Sequence, residues 1–266
     1  MIAVSQLVDV AIAAGNEVMR IYDTDFSVRL KGDDSPVTEA DEAAEALIIA
    51  ALARIAPAIP VIAEEAAAAG TLPATSGRFF LVDPLDGSKE FVNRNGEFTV
   101  NIALIDNGMP TLGVVYAPAI GRIWWGERGH GAYHARLTDG VLAEPQPISV
   151  RQCTMTALHA VGSRSHGDDA VDGWLESFQI SRFIAAGSSL KFCLLASGEA
   201  DLYPRFGRTM EWDTAAGDAV LRAAGGRVET LAGDLLLYGK RNQAEDTDFA
   251  NPHFVAFGDP ALRCPA

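Results

Sequence analysis

The chain has 266 residues and a formal net charge of −14, with 35 Asp and Glu residues against 21 Lys and Arg residues. This length allows about two ordinary domains or one large one, and a hydrophobic content of 48% supplies a sizeable core. The acidic balance argues against a protein that holds a nucleic-acid backbone or an anionic membrane by charge, so we expect no nucleic-acid partner.

The cysteines and the N-terminal residues give evidence about the cellular compartment of the protein. Cys153, Cys193 and Cys264 lack the spacing of a metal site or a disulfide framework, which favours a reducing cytoplasm. Peripheral attachment to the cytoplasmic face of the inner membrane stays open, as does the oligomeric state. The first 19 residues lack a secretory pattern, and no run of 18 uncharged apolar residues occurs elsewhere, so we expect no transmembrane segment.

Apolar residues recur at helical spacing in two stretches near the N-terminus, residues 7–22 and 44–55. These stretches predict two amphipathic helices, each packing one face on a sheet. Short apolar runs at residues 61–63 and 79–82 then indicate buried strands. The residues between these two strands, 66–77, are small and polar and indicate a loop.

Residues 98–104 alternate strictly between two faces, as a strand does. One face carries Phe98, Val100, Ile102 and Leu104, and the other carries Thr99, Asn101 and Ala103. A turn at residues 106–108 and apolar runs at 112–116 and 122–125 extend this strand into a meander. The first half is therefore predicted to be α+β with a largely antiparallel sheet.

A polar, proline-rich stretch at residues 138–147 is the candidate boundary, and we divide the chain into halves 1–140 and 141–266. Beyond it, a predicted strand at 156–161 alternates with three helical patterns. These helical patterns cover residues 171–178, 189–196 and 214–224, and Gly225-Gly226 ends the last one. The second half is therefore predicted to be α/β, and it carries Asp213.

The most informative segment for chemistry is DPLDGS at residues 83–88. A strand runs into two carboxylates, Asp83 and Asp86, on a turn that Pro84 makes rigid and Gly87 makes permissive. Two such carboxylates repel unless a cation lies between them, and with the carbonyl of Leu85 they form the oxygen set that Mg²⁺ prefers. The alternative is an Asx-type turn, in which both aspartates only accept hydrogen bonds from the backbone.

Other carboxylates have equally simple explanations. Glu64 and Glu65 follow a predicted strand, where α/β folds often place ligands, but they also fit an ordinary surface pair. Asp213 stands just before a helical pattern and fits a helix N-cap. Asp41 ends the sequence TEAD at residues 38–41, which fits a capping box.

The combination of motifs is more specific than any one of them. Three motifs occur in order: EE at residues 64–65, DPLDGS at 83–88 and WDTAAG at 212–217. Over nearly the whole chain, the sequence resembles the lithium-sensitive, Mg²⁺-dependent phosphatase superfamily that includes inositol monophosphatase and fructose-1,6-bisphosphatase. This resemblance implies a layered αβαβα sandwich. The segments at residues 89–91, 93–105, 162–166, 187–193 and 203–207 resemble its 3′(2′),5′-bisphosphate nucleotidase branch.

The resemblance also implies roles for individual residues. It assigns two or three Mg²⁺ ions to Glu64, Asp83, the Leu85 carbonyl, Asp86 and Asp213, with Glu65 close to the metals. Asp41 and Ser88 would form a hydrogen-bonded dyad that orients or deprotonates the attacking water, with Glu64 as a third catalytic residue. Most superfamily members carry Thr at the position of Ser88; serine keeps the hydroxyl but lacks the methyl that stiffens χ1. We expect activity to survive this difference.

Substrate contacts are implied in the same way, at Gly87, Ser88, His166, Ser188, Lys191, Arg205 and Asp213. Lys191 and Arg205 would hold the phosphate that is not cleaved, with Ser188 and His166 near the nucleotide. Phe206 replaces the acidic residue of inositol monophosphatases and suits a nucleobase better than a polyol. The alternatives are a solvated loop histidine for His166, an exposed helical lysine for Lys191 and a surface ion pair for Arg205.

The implied activity is hydrolysis of the 3′-phosphate of 3′-phosphoadenosine 5′-phosphate (PAP), giving AMP and phosphate, as part of sulfate assimilation. A water activated by the metals would attack in line, and the 5′-phosphosulfate analogue is a further candidate substrate. An inositol or sugar monophosphatase with the same metal site is the alternative enzyme. A noncatalytic nucleotide sensor and a structural cation-binding protein are alternatives of other classes.

Overall fold

The computed structural model describes residues 2–30, 36–163 and 169–264. Its helices are α1 (Val4–Tyr22), α2 (Glu39–Ile55), α3 (Glu64–Ala68), α4 (Ser88–Val92), α5 (Asp169–Leu175), α6 (Leu190–Ala196) and α7 (Glu211–Ala223), with a 3₁₀ turn at Pro118–Ile120. Its strands are β1 (Val28–Leu30), β2 (Pro36–Thr38), β3 (Val61–Ala63), β4 (Arg78–Asp86), β5 (Thr99–Asp106), β6 (Met109–Ala117), β7 (Arg122–Glu127), β8 (Gly131–Thr138), β9 (Val141–Leu142), β10 (Gln146–Ile148), β11 (Leu158–Gly162), β12 (Ile180–Ala185), β13 (Leu202–Arg205), β14 (Arg227–Thr230) and β15 (Phe254–Phe257). Among the described helices, none has the length and apolar character to cross a bilayer.

The predicted meander forms the larger of two main sheets. Its strand order is β10-β8-β7-β6-β5-β4-β3, with β9 paired to β8. Neighbouring strands are antiparallel except β3 and β4, which run parallel. Asn107 and Gly108 have φ values of 51° and 78°, which confirms the predicted turn between β5 and β6.

Both faces of this large sheet are buried, because helices cover each of them. Val100, Ile102 and Leu104 of β5 pack with α1 and α2 in one core. Ala103 and Ile105 of the same strand belong to a second core, shared with α6 and α7. The alternation along residues 98–104 therefore sorts side chains between two apolar layers, and even its polar positions are buried.

The second main sheet has the order β12-β11-β13-β15-β14. Three of its strands, β12, β11 and β13, are parallel, and the other two pair antiparallel. One face shares the core with α6 and α7, and the other packs with α5. The layers are therefore helix, sheet, helix, sheet and helix, which confirms the αβαβα sandwich.

Helix α7 approaches the large sheet closely enough to touch its backbone. A Cβ atom added at Gly113 of β6 would lie 2.5 Å from the Ala216 carbonyl oxygen, and one added at Gly126 of β7 would lie 2.8 Å from the Val220 Cα. Glycine on the two strands therefore permits this contact between helix and sheet. The predicted division into 1–140 and 141–266 stays a prediction; β10, which follows it, pairs with β8, and α7 packs on the first-half strands.

Candidate active site

The site is built around the end of β4. This strand extends further along the chain than the sequence predicted. Rather than ending in a tight turn, β4 continues through Asp86, and its pairing with β5 becomes irregular between Asp83 and Asp86. Pro84 lacks an N–H to donate to the ladder, which explains the interruption. Asp83 Oδ1 accepts a hydrogen bond from the Leu85 backbone N–H at 3.0 Å, so the backbone contact of the Asx-turn alternative is present at Asp83. Gly87 follows with φ 93°, which favours glycine.

Three carboxylates from separate segments converge beside this strand end. Oxygen atoms of Glu64, Asp83 and Asp213 all lie within 4.8 Å of one another. Glu64 begins α3 directly after β3, and the parallel pairing of β3 with β4 places it beside Asp83. Glu45 of α2 supports this arrangement, because its carboxylate accepts from the backbone N–H groups of Glu65 and Ala66 at 2.7 and 2.8 Å.

The position of Asp213 corrects one alternative from the sequence. Asp213 is the third residue of α7, not its N-cap, because the helix begins at Glu211 and Met210 is the capping residue. The Asp213 carboxylate reaches back through Oδ2 to accept from the Met210 N–H at 2.8 Å. Its hydrogen bond therefore fixes the start of α7 from inside the helix.

A cavity of about 250 Å³ contains these carboxylates. It is lined by Pro36, Glu64, Asp83, Leu85, Asp86, Gly87, Ser88, Lys89, Glu90 and Asp213. Burial, together with the charges of Glu64, Asp86 and Asp213, raises the pKa of Asp83 well above its ordinary value. Burial and the charges of Asp86 and Glu64 do the same to the pKa of Asp213. A bound cation relieves this repulsion, and a donor set made of oxygen atoms suits Mg²⁺.

Asp41 and Ser88, the predicted dyad, are joined by a hydrogen bond, and Ser88 lines this cavity. Thr38 caps α2, and Asp41 is buried at the third position of that helix, where its Oδ2 accepts from the Thr38 N–H at 2.8 Å. The Ser88 Oγ donates to Asp41 Oδ1 at 3.1 Å and contacts the Leu85 carbonyl oxygen at 3.2 Å. Asp41 therefore forms the capping box and also contacts Ser88.

Two further cavities, of about 160 and 940 Å³, extend the cleft beyond the carboxylates, and both are lined in part by Tyr203 and Arg205. Lys191 lies in the smaller one and is buried, which excludes an exposed helical lysine. Its Nζ donates to the carbonyl oxygens of Ser188 and Ala186 at 2.6 and 3.3 Å. Burial lowers the pKa of Lys191 to about 8.

Arg205 faces both of these cavities. Its Nη2 donates to the Arg208 carbonyl oxygen at 3.3 Å, and its Nε is buried without a hydrogen-bond partner among the described residues. Within the same described ranges, Arg205 forms no ion pair, contrary to the surface-pair alternative. A buried, unpartnered guanidinium N–H is suited to an anionic ligand.

The remaining predicted residues fall into three groups. Ser188 lines the smaller cavity and donates to Asp86 Oδ2 at 2.7 Å, and Phe206 lines the larger one, where it stacks on His253. Glu65 lines none of the three cavities, so its place near the metals stays a prediction. His166 lies outside the described residues.

Several polar residues of the site were missed by the sequence analysis. Thr99 and Asn101 are buried on β5, Ser189 is buried before α6, and Glu45 is buried on α2. The only sequence signal was that Thr99 and Asn101 are the polar members of an alternating, otherwise apolar strand. Polar residues on a strand that is buried on both faces require partners, and here those partners are site residues.

The fold and the acidic site together define a metal-dependent phosphatase of the αβαβα class. The model of the inositol monophosphatase family matches residues 3–255, and the chain belongs to this family. Among its relatives is the 3'(2'),5'-bisphosphate nucleotidase CysQ of Salmonella typhimurium, 44% identical over 94% of this chain and 97% of the relative. The CysQ of Escherichia coli K12 gives the same identity and coverage.

Solved structures agree with this assignment. CysQ from Bacteroides thetaiotaomicron superposes with a TM-score of 0.78 at 35% identity, over 96% of each chain. The inositol monophosphatase of Thermotoga maritima superposes with a TM-score of 0.75 at 24% identity, over 94% of this chain and 90% of that one. The second likeness concerns the fold alone.

Proposed function

We propose that the chain is a Mg²⁺-dependent phosphatase that removes the 3′-phosphate of PAP, giving AMP and phosphate. The observation that carries this proposal is a pair of basic side chains, Lys191 and Arg205, in a cleft continuous with the carboxylate cluster. A substrate that places one phosphate at the carboxylate cluster and a second phosphate at this pair of side chains is a bisphosphate. The names of the relatives at 44% identity support the same substrate.

Each group of residues has a distinct task in this reaction. Glu64, Asp83, Asp86, Asp213 and the Leu85 carbonyl would hold two or three Mg²⁺ ions. When bound, Mg²⁺ neutralises phosphate oxygens and lowers the pKa of water.

The chain's own groups complete the reaction. Asp41 accepts a hydrogen bond from Ser88, and this pair would orient the attacking water and accept its proton. Lys191 and Arg205 would fix the 5′-phosphate, so that the 3′-phosphate meets the carboxylate cluster. The proposed setting is the cytoplasm, in sulfate assimilation, with the 5′-phosphosulfate analogue of PAP as a further substrate to test.

Substrate comparison tests this proposal. Phosphate release with saturating Mg²⁺ should be most efficient with PAP, and the kcat/KM for 3′-AMP, which lacks the second phosphate, should be about 10- to 100-fold lower. Arg205→Gln should reduce the kcat/KM for PAP towards that for 3′-AMP and leave the 3′-AMP value unchanged. Faster turnover of inositol 1-phosphate than of PAP would instead establish the sugar-phosphatase alternative, and binding of PAP without turnover would establish the sensor.

A further inference from the structure

Asn101 of β5 is buried at the centre of a polar network that joins the Asp86 carboxylate to the backbone of Asp213. Its Nδ2 donates to Asp86 Oδ2 at 3.3 Å and to Ser189 Oγ at 3.1 Å. Ser189 Oγ in turn donates to the Asp213 carbonyl oxygen at 2.7 Å. The Asn101 Oδ1 accepts from Thr99 Oγ1 at 3.0 Å. Both N–H groups and the carbonyl of this amide are therefore used, and Asn101 is linked to β4 directly and to α7 through Ser189.

The network acts on one oxygen of Asp86. Its Oδ2 accepts from both Asn101 and Ser188, at 3.3 and 2.7 Å. In the part of the chain that is described, its Oδ1 accepts no side-chain hydrogen bond, which leaves that oxygen for a cation. Two fixed donors on one oxygen restrict the rotation of the carboxylate, as partners of metal ligands commonly do.

The same network holds the loop at residues 187–189. Ser188 has φ 52°, a conformation that a serine adopts rarely and only when its surroundings impose it. Its Oγ donates to Asp86 and lies 2.5 Å from Thr99 Oγ1, so the single Thr99 hydroxyl proton is shared between Ser188 Oγ and Asn101 Oδ1. The adjacent Gly187 N–H donates to Glu97 Oε2 at 2.8 Å. The Ser188 carbonyl then accepts from Lys191 Nζ. The position of the lysine ammonium therefore depends on a loop that is fastened to β5.

We propose that Asn101 is a positioning residue that couples the metal site to the second-phosphate site. It orients the Asp86 carboxylate directly, and it holds the 187–189 loop, and with it Lys191, through Ser189 and Thr99. This inference rests on the proposed function, since it assumes a cation at Asp86 and a phosphate at Lys191.

The test replaces Asn101 by leucine, which has a similar size and no hydrogen-bonding group. In Asn101→Leu, the affinity of the substrate-free protein for Mg²⁺, measured by titration calorimetry, should fall about 10- to 100-fold. The KM for PAP should rise more than the KM for 3′-AMP, because only PAP has the phosphate that contacts Lys191. Asn16→Leu, on the exposed face of α1, is the matched control and should change neither quantity.

A second variant keeps the inference testable if Asn101→Leu does not fold. Thr99→Val preserves side-chain shape and removes only the hydroxyl that supports Asn101 and Ser188, so it should shift both quantities in the same direction by a smaller factor. If the wild type does not bind Mg²⁺, or binds it in a way that Asp83→Asn does not abolish, the proposed metal site and this inference are both overturned. Wild-type affinity and an unchanged KM ratio in the folded variants would overturn the role of Asn101 alone.

Discussion

At the scale of single residues, Ser88 provides the first prediction. Its Oγ is 3.1 Å from the buried Asp41 carboxylate, which makes it the donor through which Asp41 can act on a water. Ser88→Ala should lower kcat about 100-fold or more, in the range of general acid–base catalysis. Ser88→Thr restores a hydroxyl with a more restricted χ1 and should retain activity. Equal kcat values for the alanine variant and the wild type would remove the dyad from the mechanism.

Lys191 provides a prediction on pH dependence. Because burial lowers its pKa to about 8, the ammonium is fully charged well below pH 8 and loses its proton as the pH rises through that value. The kcat/KM for PAP should therefore fall above about pH 8, while that for 3′-AMP should not show this limb. Lys191→Arg, which keeps its charge throughout this range, should remove the limb for PAP. Identical pH profiles for the two substrates in the wild type would contradict the phosphate contact.

At the scale of secondary-structure elements, the contact of α7 with the large sheet is the critical one. Gly113→Ala would place a methyl group 2.5 Å from the Ala216 carbonyl oxygen, and such overpacking costs about 1–3 kcal/mol. Because α7 carries Asp213, the displaced helix should also bind Mg²⁺ more weakly. Gly173→Ala is the control, since a Cβ there meets nothing within 4 Å. Urea unfolding and Mg²⁺ titration measure the two effects, and equal behaviour of both variants would contradict this packing argument.

Secondary-structure elements that depend on local sequence were predicted well, and those that depend on distant contacts were not. The meander and its turn were predictable because alternation and Asn-Gly act locally. The continuation of β4 past Pro84 was not predictable, because it depends on the pairing of Asp86 with Thr99 of β5, beyond the irregular stretch. The start of α7 was placed too late because Asp213 looks like a cap, and its actual partner, the Met210 N–H, is set by the helix itself.

The carboxylates of the site were predictable, because Glu64, Asp83 and Asp213, which converge in the structure, each lie in one of the three sequence motifs. Lys191 is buried in a cavity that Asp86 also lines, and Asn101 donates to Ser189, so both arrangements bring together segments that lie far apart in the chain. No local pattern in the sequence encodes contacts of this kind, because they depend on how the layers stack.

At the scale of the whole molecule, the acidic cluster opposes folding when no metal is bound. The pKa of Asp83 is raised in the folded protein, so the metal-free protein should gain stability as the pH falls through that raised pKa and be least stable above it. Asp83→Asn removes the charge and should raise the unfolding free energy in chelator at neutral pH, by about 1.4 kcal/mol for each unit of pKa shift it abolishes.

The same variant should behave oppositely with metal present. Mg²⁺ at 100 times its dissociation constant stabilises the wild type by about 2.7 kcal/mol, and Asp83→Asn should lose most of that gain. Its kcat should fall about 1000-fold, as expected when several kcal/mol of transition-state stabilisation is lost. Urea unfolding with and without Mg²⁺ measures both effects. A variant less stable than the wild type in chelator would contradict the repulsion argument.

The arrangement of Asp83 on β4 and Asp213 on α7 would give the proposed metal a second effect, on the topology of the chain. An ion shared by these two carboxylates would cross-link a long loop of the polypeptide, much as a disulfide does, although this cross-link would be reversible and would depend on the supply of cation. The ends of that loop lie in a strand and a helix that pack against each other in the middle of the sandwich. We therefore expect Mg²⁺ to slow unfolding as well as to support hydrolysis, because β4 and α7 could separate only after the ion is released.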